Sequence, residues 1–209
     1  EWLPYAAEPL AYRPFPCIDL PPQPKVGMDY LNEVIERTYD VGFMGYAIHS
    51  QERMEFLDAM FKAFPSHHYV WGKFFEDAAR EMARMRVVLN QSAVDSTNMR
   101  FFEAMAGGNC SLSYRSSDVE AFGDVDMLNV MLYRTLDEAV DKVKFVLANP
   151  AAREAIGVGG REFILSGHTY VHRAYRLLDL PLPAAIEVRK IAMTWPGGDR
   201  NLPMPVQGL

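Results

Sequence analysis

The sequence offers little sulfur chemistry. Its two cysteines, Cys17 and Cys110, are too few for a disulfide framework and lack metal-ligand spacing. They read as reduced thiols, so a cytoplasmic setting is expected. No run of ~18 apolar residues is present, which excludes a helix that spans a membrane. Nor is there an excess of basic charge. Against 21 Lys and Arg stand 27 Asp and Glu, a formal charge of -6, so a general nucleic-acid partner is not expected. The opening Glu1-Trp2-Leu3-Pro4 has neither the basic start nor the apolar stretch of a signal peptide. Because it begins with Glu1 rather than methionine, the chain is expected to be a fragment or a processed form. Repeats and low-complexity runs are also missing. What is abundant is apolar surface: 49% of the 209 residues are hydrophobic and 23% charged, the balance of a folded globular chain.

Proline divides the chain. Seven of its 14 prolines fall in residues 1–24 and five in 181–209, leaving only Pro65 and Pro150 between them. A residue with fixed φ and no N–H donor suits neither helix interiors nor central strands. We therefore expect an extended arm over 1–38, a compact domain over 39–180 and an extended tail over 181–209. Within the tail, Ile186–Met193 could add a strand.

The middle alternates short apolar runs with helical patterns. Strands are expected at 40–45, 68–71, 86–90, 110–113 and 130–133. Helices are expected at 51–63, 74–85, 98–106, 136–148, 151–165 and 168–178. Such βαβ alternation predicts an α/β fold, a Rossmann-like doubly wound parallel sheet covered on both faces. Ligands of these sheets bind at the carboxyl ends of the strands.

The loop and helix after the 86–90 strand carry the most chemistry. Asp95, Ser96, Thr97 and Asn98 all suit the N-cap of the next helix. Free N–H groups there, with the positive end of the helix dipole, make an anion site. Glu103, further along that helix, could accept both hydroxyls of a ribose. The same segment also reads as an ordinary capped helix with a surface Glu and Arg.

Asp95-x7-Glu103 followed by Ala-Met-Ala-Gly-Gly resembles the donor-binding signature of retaining GT-B glycosyltransferases, and within them most resembles the CgeB-like, spore-maturation-protein branch. Other pieces agree in order: Trp2–Pro9, Tyr39–Gly45 with Arg53 downstream, Val88-Leu-Asn90, Asn98-x-Arg100-x-Phe102-Glu103, Pro150-x-x-Arg153, and Gly167-His-Thr-Tyr170-x-His-Arg173.

The resemblance implies the C-terminal, donor-binding half of a GT-B fold, and a hexosyltransferase-like enzyme that moves sugar from a nucleotide-diphosphate sugar to an unidentified acceptor. Glu103 would hold the ribose. Asp95, shorter than the glutamate usual in the family, would approach the sugar. Backbone N–H groups at Ser96, Thr97 and Asn98 would face the diphosphate. Arg100 would stabilise that charge or brace the helix, and Arg53, beyond the Gly45 loop, would be a second cation. The family's usual basic pair is not evident, since Tyr46 follows Gly45. Charge stabilisation by N–H groups and arginine needs no metal or cofactor and no protein nucleophile. The acceptor-binding N-terminal domain would be missing, or supplied by a partner chain, and the surface left open would favour self-association.

Other motifs receive structural readings. Asp124-Val-Asp126 imitates a metal-binding Asp-x-Asp in the wrong surroundings. His168 and His172, four apart as on one helix face, lack the glutamate of a zinc motif. His67-His68 reads as a turn, and Trp71 as core packing that could otherwise touch the base. Gly157-x-Gly159-Gly160 follows a helix rather than a strand, so it fails as a dinucleotide fingerprint. A different class of reading stays open: a non-catalytic interaction or structural module that keeps the fold.

Overall fold

Five parallel strands carry the domain. In the computed structural model the described residues are 5–7, 9, 11–12, 17–18, 34–122 and 125–182. A two-residue strand β1 (Cys17–Ile18) pairs in parallel with β2 (Ile35–Glu36). The main sheet comprises β3 (Tyr39–Met44), β4 (His67–Val70), β5 (Met85–Asn90), β6 (Ser111–Tyr114) and β7 (Met131–Tyr133). Its spatial order is β4-β3-β5-β6-β7, every neighbouring pair parallel.

The α-helices among the described residues are α1 (Gln51–Ala63), α2 (Phe75–Ala83), α3 (Met99–Ala106), α4 (Ser117–Glu120), α5 (Leu136–Ala148), α6 (Pro150–Gly167) and α7 (Tyr170–Leu177). Strand side chains alternate between two apolar layers, as the pleat requires. Val41, Phe43, Val87, Leu89 and Leu112 pack with Phe56, Leu57 and Met60 of α1 and with Ala139, Val143 and Val146 of α5. Met44, Val88 and Leu132 pack with Met82 of α2 and with Phe101, Phe102 and Met105 of α3. The sheet is therefore covered on both faces, a Rossmann-like α/β arrangement. Helix α6 serves both layers, giving Ile156 to one and Ile164 to the other.

Local chemistry sets the helix starts. Ser50, Asn98, Thr135 and Thr169 cap α1, α3, α5 and α7 with side-chain oxygens, and Pro150 opens α6. The N-terminal arm is tied to the far end of the chain: Ala7 N–H donates to the His168 carbonyl, Tyr170 N–H to the Ala7 carbonyl, and Arg173 Nη2 to the Tyr5 carbonyl.

The expected elements are present with ends moved by one or two residues, and four readings change. His67 and His68 open β4 rather than forming a turn. Trp71 is 64% exposed and packs in no core. His168 caps the end of α6 while His172 lies in α7, so they do not share one helix, though each has the role of packing or cap expected of it. His172 completes a capping box with Thr169. Gly157, Gly159 and Gly160 lie inside α6, where a Cβ would meet the carbonyl oxygens of Gly108, Leu128 and Asn129 at 2.3, 2.4 and 2.6 Å. Close backbone approach accounts for the glycine run. The expected strand at 186–193, the tail from residue 183, most of the arm and Asp124 lie outside the described residues. Among the described residues no helix is long and apolar enough to cross a membrane.

Candidate functional site

The strand order reverses between β3 and β5, because the chain leaves β3 for β4 on one side and returns to β5 on the other. Such a switch point opens a crevice at the carboxyl ends of the two strands. Its lips are the loops after Met44 and Asn90. Gly45 turns the first loop with φ +149, in the left-handed region that favours glycine, and donates its N–H to the Val70 carbonyl at 2.9 Å. Arg53 joins the two lips. Its Nε donates to the Gln91 carbonyl at 2.8 Å and its Nη1 to the Tyr46 carbonyl at 2.7 Å. The side chain is largely buried, and that burial lowers its pKa below the usual arginine value. Expected as a second cation, Arg53 is spent in part on holding the crevice together.

The helix beyond the second lip is placed by a polar relay. Asn98 Oδ1 accepts from the Phe101 N–H at 3.0 Å, Asn98 Nδ2 donates to Asn90 Oδ1 at 3.0 Å, and Asn90 Nδ2 donates to Ser113 Oγ at 2.9 Å. Asn98 was legible as a cap. Asn90 and Ser113 are not among the site residues expected from the sequence, although a polar residue ending the apolar strand β5 is a usable signal.

Two expected anion donors are already occupied. The Ser96 N–H bonds the Val94 carbonyl at 2.7 Å, and the Thr97 N–H bonds Asp118 Oδ2 at 3.1 Å. Four cap-forming residues in a row made the helix start ambiguous; the helix begins one residue after the last of them. The groups that precede its first internal bond are therefore the N–H groups of Met99 and Arg100. Asp95 is exposed, and its Oδ1 accepts from the Ser117 N–H at 3.4 Å, at the start of α4.

Glu103 lies on α3 and is only 5% exposed, so it is not the surface carboxylate of the ordinary-helix reading. Its Oε2 pairs with Arg100 Nη1 at 2.7 Å. Arg100 Nη1 also approaches Met82 Sδ at 3.8 Å, and Arg100 Nε is buried without a hydrogen-bond partner among the described residues. Arg100 is thus turned along its own helix, toward Glu103 and α2. A second group, absent from the sequence reading, feels the same carboxylate: Tyr12, buried in the apolar layer with Met82, Phe101 and Phe102. Burial first, and then the Glu103 charge, raises the Tyr12 phenol above its ordinary pKa. No spacing in the sequence links a tyrosine in the proline-rich arm to this helix.

An aromatic rim borders the crevice. Trp71 and Phe74 are exposed in the loop after β4, as is Phe75 at the first position of α2, and Tyr46 meets Trp71 edge-on with centroids 5.9 Å apart. Gly72 and Phe75 bend this loop with φ +72 and +50, the latter unusual for an aromatic residue. Elsewhere, Asp126 is engaged by Arg115 Nη2 at 2.9 Å, Lys142 Nζ at 2.7 Å and the Leu132 N–H at 2.8 Å. Among the described residues no three His, Cys, Asp or Glu side chains converge as a metal site.

Comparison with known proteins gives this geometry a family. No curated protein sequence matches the chain. Among solved structures, the sucrose-phosphate synthase of Thermosynechococcus elongatus aligns with a TM-score of 0.56 at 13% identity, over 84% of this chain and 50% of that one. The Anabaena HepE protein, in complex with UDP, aligns with a TM-score of 0.57 at 12% identity, over 73% of this chain and 58% of that one. TarM aligns with a TM-score of 0.53 at 12% identity, over 68% of this chain and 35% of that one. The chain thus spans about half the length of the first of these structures. At such identities the likeness is one of fold, and the fold is that of GT-B glycosyltransferase domains. The profile of the glycosyl transferase-like family matches residues 51–179, which include α3 with Arg100 and Glu103 and make up well over half of the sequence. The chain belongs to that glycosyl transferase-like family.

Proposed function

We propose that this domain is the donor-binding, C-terminal half of a retaining glycosyltransferase of the CgeB-like branch. It receives a nucleotide-diphosphate sugar at the β3/β5 crevice, for transfer to an acceptor bound mainly by an N-terminal domain or partner chain. The observation that carries the reading is the buried Glu103 carboxylate in the helix that opens onto the switch point. In this reading Glu103 takes the ribose hydroxyls. The N–H groups of Asn98, Met99 and Arg100, at the positive end of α3, face the diphosphate. Gly45 lets the backbone come close, and Arg53 keeps the two lips in register and adds positive charge. Asp95, on the exposed loop before α3, approaches the sugar. The exposed rim at Tyr46 and Trp71 offers a flat apolar surface to the base. Preorganised donors stabilise the departing diphosphate without a metal. That a HepE structure holds UDP supports a nucleotide at this fold's crevice.

The test is calorimetric titration with UDP, GDP and their sugars on the wild type and on Glu103→Ala. Loss of a carboxylate bonded to ribose is expected to cost about 1–3 kcal/mol. Affinity is expected to be the same in EDTA as in magnesium. Absence of binding by the wild type, or equal binding by the variant, overturns the reading in favour of a non-catalytic module.

A further inference from the structure

We infer that Asn90 is a positioning residue for nucleotide recognition: its side-chain amide ties the first turn of α3 to the ends of β5 and β6, and so sets the place at which the Arg100–Glu103 pair meets a ribose. The inference rests on the ribose reading of Glu103 and goes beyond it.

Asn90 is the last residue of β5 and is 3% exposed, at the end of the apolar run Val87-Val88-Leu89. A buried amide adds little to an apolar layer and is tolerated where its polar atoms are bonded. Here both ends are. Asn90 Nδ2 donates to Ser113 Oγ on β6 at 2.9 Å, and Asn90 Oδ1 accepts from Asn98 Nδ2 at 3.0 Å. An ionised carboxylate has no donor for the first contact, and an aliphatic side chain serves neither. Asn98 in turn caps α3 by accepting from the Phe101 N–H at 3.0 Å. Ser113, Asn90, Asn98 and Phe101 thus form one line of hydrogen bonds from the sheet into the helix.

Phe101, Phe102 and Met105 seat α3 in its apolar layer. Such burial is non-directional, and hydrogen bonds add the direction. At the far end of α3, Arg161 Nη1 donates to the Ala106 carbonyl and Asn109 Nδ2 to the Ala104 carbonyl, the latter at 3.2 Å. Asn90 serves the near end. With that tie cut, α3 is pinned at one end and its first turn moves most. Arg100 lies in that turn and pairs with Glu103 Oε2 at 2.7 Å. The carboxylate then loses the fixed frame in which it could accept two adjacent hydroxyls together.

Two variants cut the line at different points. Asn90→Ala removes the amide. Asn98→Ser keeps a good helix cap but lacks the nitrogen that reaches Asn90. The full chain, as wild type, each variant and the double variant, is titrated with UDP and 2′-deoxy-UDP. The readout is the ratio of ribose to deoxyribose affinity, which is insensitive to any change in the folded fraction. The wild type is expected to prefer ribose about tenfold or more, because a site built to bond a hydroxyl rejects the analogue without it. The ratio is expected to fall about threefold or more in each single variant and no further in the double one, since both cut the same line. Should Asn90→Ala fail to fold, Asn98→Ser decides alone. Weakening of both nucleotides in equal proportion, with the ratio intact, would mean that the relay only supports the fold, and overturns the inference. Losses that multiply in the double variant overturn it as well, since Asn90 and Asn98 would then act separately. A wild type that binds neither nucleotide, or both equally, removes the ribose reading itself, whereas a wild type that prefers ribose with unchanged ratios in the variants removes only the role of Asn90.

Discussion

Single residues in this domain are held by contacts that reach far along the chain. Arg53 illustrates the point: an arginine on α1 bonds carbonyls in two different loops. His168 is another. Its ring stacks on Phe163 with centroids 4.2 Å apart, with Phe102 and Phe122 around it. Burial, and then the charges of Arg173, Arg176 and His172, push its pKa from 6.5 down to about 4. A folded-state value below the unfolded one means that the unfolded chain binds more protons between the two. The contribution of His168 to stability is complete above pH 6.5 and is lost as pH falls through the window toward 4. The outcome expected from urea melts at pH 7 and pH 4.5 is a smaller drop in midpoint for His168→Gln than for the wild type. An equal drop would show that His168 is not the group being protonated.

Elements were more legible than contacts. The 2- and 3.6-residue periods located the five strands of the sheet and most of the helices, because burial on one or both faces imposes those periods on the sequence. The helix of residues 136–148 is α5 to the residue. Contacts between elements leave weaker traces. The run Asp95–Asn98 offered four caps, and only the folded loop, with Thr97 bonded to Asp118, decides among them. Trp71 looked like core by its residue type, yet the edge position of β4 leaves the following loop uncovered. Glycines show the same limit, since α6 can approach the turn after α3 only where Gly157 has no side chain. Gly157→Ala places a methyl 2.3 Å from the Gly108 carbonyl oxygen, a backbone atom that cannot rotate away. We expect a loss of about 1–3 kcal/mol in chemical denaturation. A neutral result would require α6 to shift without cost.

For the whole molecule, the proposed site belongs to no single element. It draws on the β3 loop, the β5 loop and α3, so a bound nucleotide is expected to link regions that otherwise open independently. At a nucleotide concentration one hundred times the dissociation constant, stability should rise by about 2.7 kcal/mol. Hydrogen exchange should slow together at Gly45–Tyr46 and Gln91–Arg100. Protection confined to one of these segments would contradict a shared site. Among the described residues, Leu177 and Leu178 at the end of α7 are exposed.

The strap between Tyr5–Ala7 and His168–Arg173 also sets an order of events during synthesis. The amino end leaves the ribosome first, but the partners that seat it are among the last described residues to emerge. Chains begin to fold while they are still being made. The sheet from β3 to β7 can assemble while the arm still waits, and Tyr5–Ala7 find their partners only after residues 168–173 have emerged. A ribosome-bound chain halted before residue 168 would hold the whole sheet with its arm unseated, so the closing of the strap is a late step of biogenesis and not part of the sheet's own assembly.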